Sequence, residues 1–164
     1  MSLKIEDISP LDLPSILELN QISQPHLSSL TLKRLTELAE MTFHFRVIKI
    51  KGIIAAFILG MEEGQAYSSK NYAWISERYE SFYYIDRIAV AKEYQRQGLG
   101  KALYEDVQSF AFKMKKPIMA CEVNINPPNS GSILFHQKFG FLPIGEQNTE
   151  GGQKRVQYMI KNLI

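Results

Sequence analysis

One segment constrains this chain more than any other. Phe82 to Val90 (FYYIDRIAV) is followed by Tyr94-Gln95-Arg96-Gln97-Gly98-Leu99-Gly100, and then by an amphipathic run from Gly98 to Met114. The first stretch is rich in β-branched and aromatic residues, which suit a pleated, half-buried surface. The last places Leu99, Leu103, Val107, Phe110 and Met114 on one helical stripe. A strand that turns through glycines into a helix leaves backbone N–H groups unpaired at the helix start, and those groups suit an anion. Glycine also lets the backbone approach a ligand that a Cβ would push away. The chain must therefore fold around a strand-to-helix crossover with an anion-binding turn.

Spacing excludes two familiar phosphate loops. The pattern G-x-x-x-x-G-K-[ST] is absent. The dinucleotide fingerprint G-x-G-x-x-G needs a glycine where Leu103 stands. What remains is Gln95-x-x-Gly98-x-Gly100.

The surrounding sequence predicts mixed α and β structure. Leu3 to Glu6 reads as a first strand, and Ser9-Pro10 as a helix start, with Ser as cap and Pro in the first turn. A second helix is expected from about Thr31 to Glu40 on the stripe Leu32, Leu35, Leu38 and Ala39. Phe43 to Ile50 and Ile53 to Leu59 form a hairpin around Lys51-Gly52. Glu62 to Ser81 is long and irregular, and residues 67 to 84 hold seven aromatics (Tyr67, Tyr72, Trp74, Tyr79, Phe82, Tyr83 and Tyr84), too many for a disordered loop. A substrate-facing role is expected for this stretch, with the edge of the core as the plainer reading. Pro117 to Ile125 is a further strand, and Ser130 to Phe139 a helix closed by Gly140. Phe141 to Gly145 and Arg155 to Ile160 are two last strands, turning at 148–152. Strand-helix crossovers in the second half and hairpins at both ends give an α+β fold.

A chain of 164 residues, 45% hydrophobic and 22% charged, is enough for one globular domain, expected over 1–164. The formal net charge of +2 excludes the basic stripe that long nucleic acid requires. Its distribution is uneven, because residues 92 to 116 hold six cations against three acids. That half suits a phosphate-rich ligand, and the slightly acidic remainder suits an amine. The lone Cys121 cannot close an internal disulfide, and the N-terminus has no apolar leader segment. The longest apolar run, Ile53 to Leu59, falls short of the ~20 residues that span a bilayer. A cytoplasmic protein without membrane or nucleic-acid partners is expected, with no metal, as a monomer or homodimer.

The turn Gln95-x-x-Gly98-x-Gly100 resembles the acyl-CoA pyrophosphate loop (Q/R-x-x-G-x-G/A) of the GNAT superfamily, the GCN5-related N-acetyltransferases. A later helix of that family carries a pattern close to N-x-x-A-x-x-x-Y-x-x-x-G-F, and Asn129 and Gly140-Phe141 keep its spacing here. The resemblance spans residues 82 to 161. The stretch from Asn71 to Arg87, followed by Phe135-His136, looks like a bacterial subgroup of that family.

This resemblance implies a central mixed, mostly antiparallel sheet flanked by helices. It implies acetyl-CoA as co-substrate and a primary amine of a small molecule or peptide as acceptor. Backbone groups of Ile88, Ala89 and Val90 would pair with pantetheine. The loop amides of Arg96, Gln97, Gly98, Leu99, Gly100 and Lys101 would hold the pyrophosphate, flanked by Gln95 and Asn129. Direct transfer needs a neutral amine, and a carboxylate can take its proton. Asp86 and Glu122 are both candidates. On an alternating strand Asp86 shares a face with Phe82, Tyr84, Ile88 and Val90, and its plainer role is an ion pair with Arg87 or Arg78. His136 stands where the family commonly has a tyrosine acid for the leaving thiolate. Tyr72, Trp74 and Tyr84 are candidate acceptor contacts, and Glu62, Glu63, Glu77 and Glu80 nearby would attract a cation. A non-catalytic acyl-CoA sensor would keep the glycines but need neither acid nor base. An interaction domain built on the aromatic stretch would bind no acetyl-CoA.

Overall fold

The computed structural model describes residues 3–164. Its frame is one seven-stranded sheet. The strands are β1 (Ile5–Asp7), β2 (Phe45–Ile50), β3 (Ile53–Glu62), β4 (Tyr83–Val90), β5 (Ile118–Asn126), β6 (Leu142–Thr149) and β7 (Lys154–Asn162). They lie in the order β1-β2-β3-β4-β5-β7-β6, and every neighbouring pair is antiparallel except β4 with β5. This is the mixed, mostly antiparallel sheet expected.

Helices cover both faces. Phe57, Leu59 and Met61 of β3 pack with α1 (Leu13–Ile22), α2 (Leu32–Met41) and α3 (Lys70–Ser76). Ala56 and Ile58, alternating with them, pack with α4 (Leu99–Lys113) and the inner side of α5 (Ser130–Phe139). We call these the first and second faces. Local chemistry starts the helices where the sequence says. Ser9 Oγ accepts from the Leu11 amide while the Asp12 carboxylate accepts from the Ser9 amide, and Thr31 Oγ1 accepts from the Arg34 amide.

Three expectations shift. The irregular stretch 62–81 contains α3, capped by Ser69 Oγ. The buried stripe of α4 is Leu99, Leu103, Tyr104, Val107 and Ala111, while Met114 lies beyond the helix and is exposed. β6 and β7 reach further than expected, leaving only Glu150–Gly152 as a short 3-10 turn before Lys154.

The fourth shift bears on the site. Leu59 pairs with Arg87, but the next residue, Gly60, pairs with Ile85. Asp86 is thus the extra residue of a β-bulge. Alternation reverses across it. Phe82 and Tyr84 face the first side, as do Ala89 and Ala91, whereas Ile88 and Val90 face the second. Asp86 therefore does not share a face with Ile88 and Val90, because an alternating pattern presupposes an unbroken ladder. A bulge also bends its strand. β4 pairs with β5 only at Tyr83↔Met119 and Tyr84↔Ala120, and the two strands part from there.

Candidate active site

Where β4 and β5 part lies a cavity of about 570 Å³, within the usual range of small-ligand sites. Leu19, Tyr67, Asp86 and Glu122 line it from the first face, and Tyr104, Cys121, Val123 and His136 from the second. The cavity therefore passes through the sheet. From Ile85 to Val90 the β5-side edge of β4 has no ladder partner, and Ile88, Ala89 and Val90 form part of the wall.

The cavity runs on to Lys92 and Gln95, where Gln95 Nε2 donates to the Val90 carbonyl at 3.1 Å. The loop beyond is exposed. Arg96 and Gly98 both have positive φ, 63° and 84°, which glycine adopts without strain. Gly98 is the N-cap of α4, and no side chain caps that helix. Among the described residues nothing accepts from the amides of residues 96 to 101, so the turn and first residues of α4 present unpaired donors. Leu99 is buried and anchors the turn. Lys101 is exposed beside Glu105 at 3.8 Å. A Cβ at Gly100 would meet only Val90 Cγ2, at 4.0 Å. Among the described residues nothing excludes a side chain there. These features fit an acyl-CoA pyrophosphate and pantetheine arm.

The two candidate bases have different surroundings. Both carboxylate oxygens of Asp86 have protein donors. Its Oδ1 accepts from the Tyr67 hydroxyl at 2.7 Å, and its Oδ2 from Arg87 Nε at 2.8 Å. Arg87 then reaches Asn20 Oδ1 at 2.8 Å and the carbonyl and hydroxyl of Ser28 at 3.2 Å. This ties the α1–α2 loop to β4. Asn124 Nδ2 donates to the Pro25 and His26 carbonyls at 3.4 Å, tying the same loop to β5. The loop thus straps the gap between the strands. Glu122 makes one side-chain bond, accepting from the Tyr84 hydroxyl at 2.6 Å. Burial pushes its carboxyl up to about 8. The Tyr84 bond opposes the rise, and the Asp86 charge adds to it.

His136 is buried on the second face, and both ring nitrogens are engaged. Nδ1 lies 2.7 Å from the Ser132 carbonyl and must donate to it, so Nε2 accepts from the Tyr104 hydroxyl at 2.5 Å. Burial lowers the imidazole pKa, which keeps this neutral tautomer. Asn129 starts α5 and lines the same wall.

The aromatic stretch divides. Tyr72 lies in the core, its hydroxyl donating to the Glu62 carbonyl at 2.6 Å and accepting from the Gln65 amide at 3.1 Å. The Trp74 ring stacks on Tyr158 at 4.0 Å, with the Arg78 guanidinium 3.6 Å over the indole. Tyr84 is fully buried. None of these three is on the cavity wall, whereas Tyr67, Ser69 and Asn71 are. Large amphipathic rings bury their faces and need a partner for the polar tip, and here those partners hold 62–82 onto the sheet. Sequence reasoning also passed over Tyr104. Its spacing of four from Gly100 on a helix was the available signal. The strap at 23–28 left no signal of its own.

Comparison with known proteins agrees with this fold. No curated protein matches the sequence. Among solved structures, Ard1 from Thermoplasma volcanium superposes with a TM-score of 0.83 at 20% identity, over 100% of this chain and 99% of that one. The ribosomal-protein-S18-alanine N-acetyltransferase from Escherichia coli gives 0.74 at 20% identity, over 99% and 94%. Naa20 from Chaetomium thermophilum, solved with a bisubstrate analogue, gives 0.79 at 20% identity, over 97% and 86%. The profile of the acetyltransferase (GNAT) family matches residues 13–141, over the strand-loop-helix turn and the parted strands, and the chain belongs to that family.

Proposed function

We propose that this chain transfers an acetyl group directly from acetyl-CoA to a primary amine of a peptide or small molecule, with an α-amino group preferred. The observation that carries the reading is Glu122, a carboxyl group on the wall of a cavity that passes through the sheet, with its pKa raised to about 8. Acetyl-CoA supplies the thioester carbonyl. The amides of residues 96 to 101 hold its pyrophosphate, and the open edge of β4 at Ile88, Ala89 and Val90 takes the pantetheine arm, with Gln95 and Asn129 beside it. The acceptor approaches from the first face, where Glu122, Tyr67 and the strap converge.

Glu122 removes the proton that keeps the amine from attacking. An α-ammonium group ionises at about 7.7–8.0, so its proton passes to Glu122 at almost no cost. A lysine-like amine at about 10.4 faces a climb of roughly 3 kcal/mol. Holding amine and thioester in line contributes a further ~7–11 kcal/mol. The thiol ionises near 8.5, so it leaves as a thiolate without a strong acid. That agrees with His136, whose nitrogens both face protein partners.

Calorimetry with acetyl-CoA, followed by an amine panel scored by free-thiol release, tests the reading. Micromolar binding and faster turnover of α-amines than of lysine-like amines is the expected result. Absence of binding at high-micromolar acetyl-CoA would remove it.

A further inference from the structure

We infer that Asn71 is a specificity-determining residue that donates a hydrogen bond to a carbonyl oxygen of the acceptor, so that the preferred acceptors are amines bearing a neighbouring carboxamide or carboxyl group. The inference rests on the acetyltransferase reading above and deepens it.

It begins with how α3 is held. Trp74 lies against β6 and β7, and only a glycine at 145 permits it. A Cβ there would stand 2.6 Å from Trp74 Cζ2 and 2.8 Å from Cη2. Gly145 follows Ile144, the extra residue where β6 slips against β7. Tyr158 stacks beneath the indole, and Lys70 Nζ donates to the Asn148 carbonyl at 3.0 Å. α3 is thereby latched across the first face, and the residues at its start, Ser69 and Asn71, become cavity wall.

The amide of Asn71 is then oriented by a directed chain. Gln147 Nε2 donates to the Tyr158 hydroxyl at 2.9 Å, so that hydroxyl gives its own proton to Asn71 Oδ1 at 2.7 Å. With Oδ1 spent, the group left to act is Nδ2, for which there is no partner among the described residues. A half-buried amide nitrogen on a cavity wall seeks an acceptor oxygen. Tyr158 is the cross-strand partner of Glu122. Side chains of such a pair lie about 4.5–5.5 Å apart at Cβ, and Asn71 and Glu122 both line the cavity, so the donor and the carboxyl that takes the amine proton face the same acceptor. An acceptor whose carbonyl carbon stands two bonds from its amine nitrogen, as in an α-amino carboxamide, presents both groups to that arrangement. A plain alkylamine leaves Nδ2 unsatisfied.

The test compares alaninamide with isopropylamine, which has a methyl group in place of the carboxamide, in the full chain with saturating acetyl-CoA. Asn71→Ala should lower kcat/KM about tenfold more for alaninamide than for isopropylamine, mainly through KM, with the KM for acetyl-CoA unchanged. Comparing each variant with wild type on both acceptors cancels their difference in basicity. Tyr158→Phe keeps the stack on Trp74 but frees the amide, and should shift the same ratio by a smaller factor. An equal loss on both acceptors, or none, would overturn the assignment of Asn71 while leaving the acetyltransferase reading intact. Failure to acetylate any amine would overturn both.

Discussion

The Tyr84 hydroxyl donates a 2.6 Å hydrogen bond to Glu122 Oε2 across the point where β4 and β5 begin to part. Tyr84 is the last β4 residue paired with β5, and it fixes the carboxyl at the cavity wall. Burial raises the Glu122 pKa from its ordinary 4.5 to about 8. Activity should therefore rise with pH through an apparent pKa near 8. Glu122→Gln should lower kcat by ~100-fold or more and remove that limb. A pH–rate profile of wild type and variant on one lysine-like acceptor, whose own amine ionises near about 10.4 and adds no limb near 8, checks this, and an unchanged limb in the variant would assign the base elsewhere.

The same group makes a stability prediction. A carboxyl whose folded pKa lies above its unfolded one binds a proton in the folded state that the unfolded chain has lost. Between about 4.5 and 8 its contribution to stability must therefore fall as pH rises, by up to ~1.4 kcal/mol per pH unit. Glu122→Gln lacks this loss. Urea melts at pH 6 and pH 9 should show the variant gaining on wild type at the higher pH. Parallel behaviour would mean that Glu122 is ionised in both states.

Gly98 and Gly100 serve different ends, and one substitution separates them. Gly98 answers a backbone need at φ 84°, whereas the space beside Gly100 is not taken by the protein. Gly100→Val should leave the thermal midpoint nearly unchanged and weaken acetyl-CoA at least tenfold, since the proposed pyrophosphate turn takes the new side chain in its first helical residues. Retained affinity by calorimetry would displace the pyrophosphate from this turn.

His136 and Tyr104 satisfy each other in the core beside the cavity. His136→Phe leaves a buried hydroxyl without its acceptor and should cost about 1–3 kcal/mol, whereas adding Tyr104→Phe should recover part of that loss. Turnover should fall no more than ~100-fold, and acetyl-CoA should still bind. Chemical denaturation of the two single variants and the double variant checks the coupling, and simple additivity would show that the pair does not act as a unit.

Asp86 and Arg87, 3% and 6% exposed, are a buried ion pair as well as the anchor of the strap. Arg87→Leu leaves a buried carboxylate unpaired and should cost about 3–5 kcal/mol. Asn20→Ala removes the bond from Arg87 and the Asn20 Nδ2 bond to the Ser28 carbonyl of the strap, and keeps the pair. It should raise the acceptor KM with the acetyl-CoA KM unchanged, and an effect on both would place the strap over the cofactor as well.

The elements were legible in the sequence where one rule governed them. Ser9, Thr31 and Gly140 mark helix ends because capping is local chemistry, and Lys51-Gly52 turns a hairpin for the same reason. The bulge at Asp86 was not legible, because it exists only in the pairing of β4 with β3, and it reversed the face of half a strand. Nor could composition divide the aromatics of 67–84. Tyr67 and Tyr72 are alike as residues, and only the docking of α3 puts one at the cavity and the other in the core. Glu122 and Asp86 are equal as bases by residue type, and the hydrogen bonds that distinguish their surroundings come from other elements and are not written in the sequence.

Because the cavity draws its walls from both faces of the sheet, the two reactants of the proposed reaction need not share a route. The acceptor side is bounded by the strap and α3, and the other side by α4 and α5. A bulky acceptor docked on the first face would leave the second free, so spent CoA could leave while the acetylated product stays bound. The kinetic signature is a ternary complex with no obligatory order of product release, and a parting of strands that begins beside one extra residue is what makes it available.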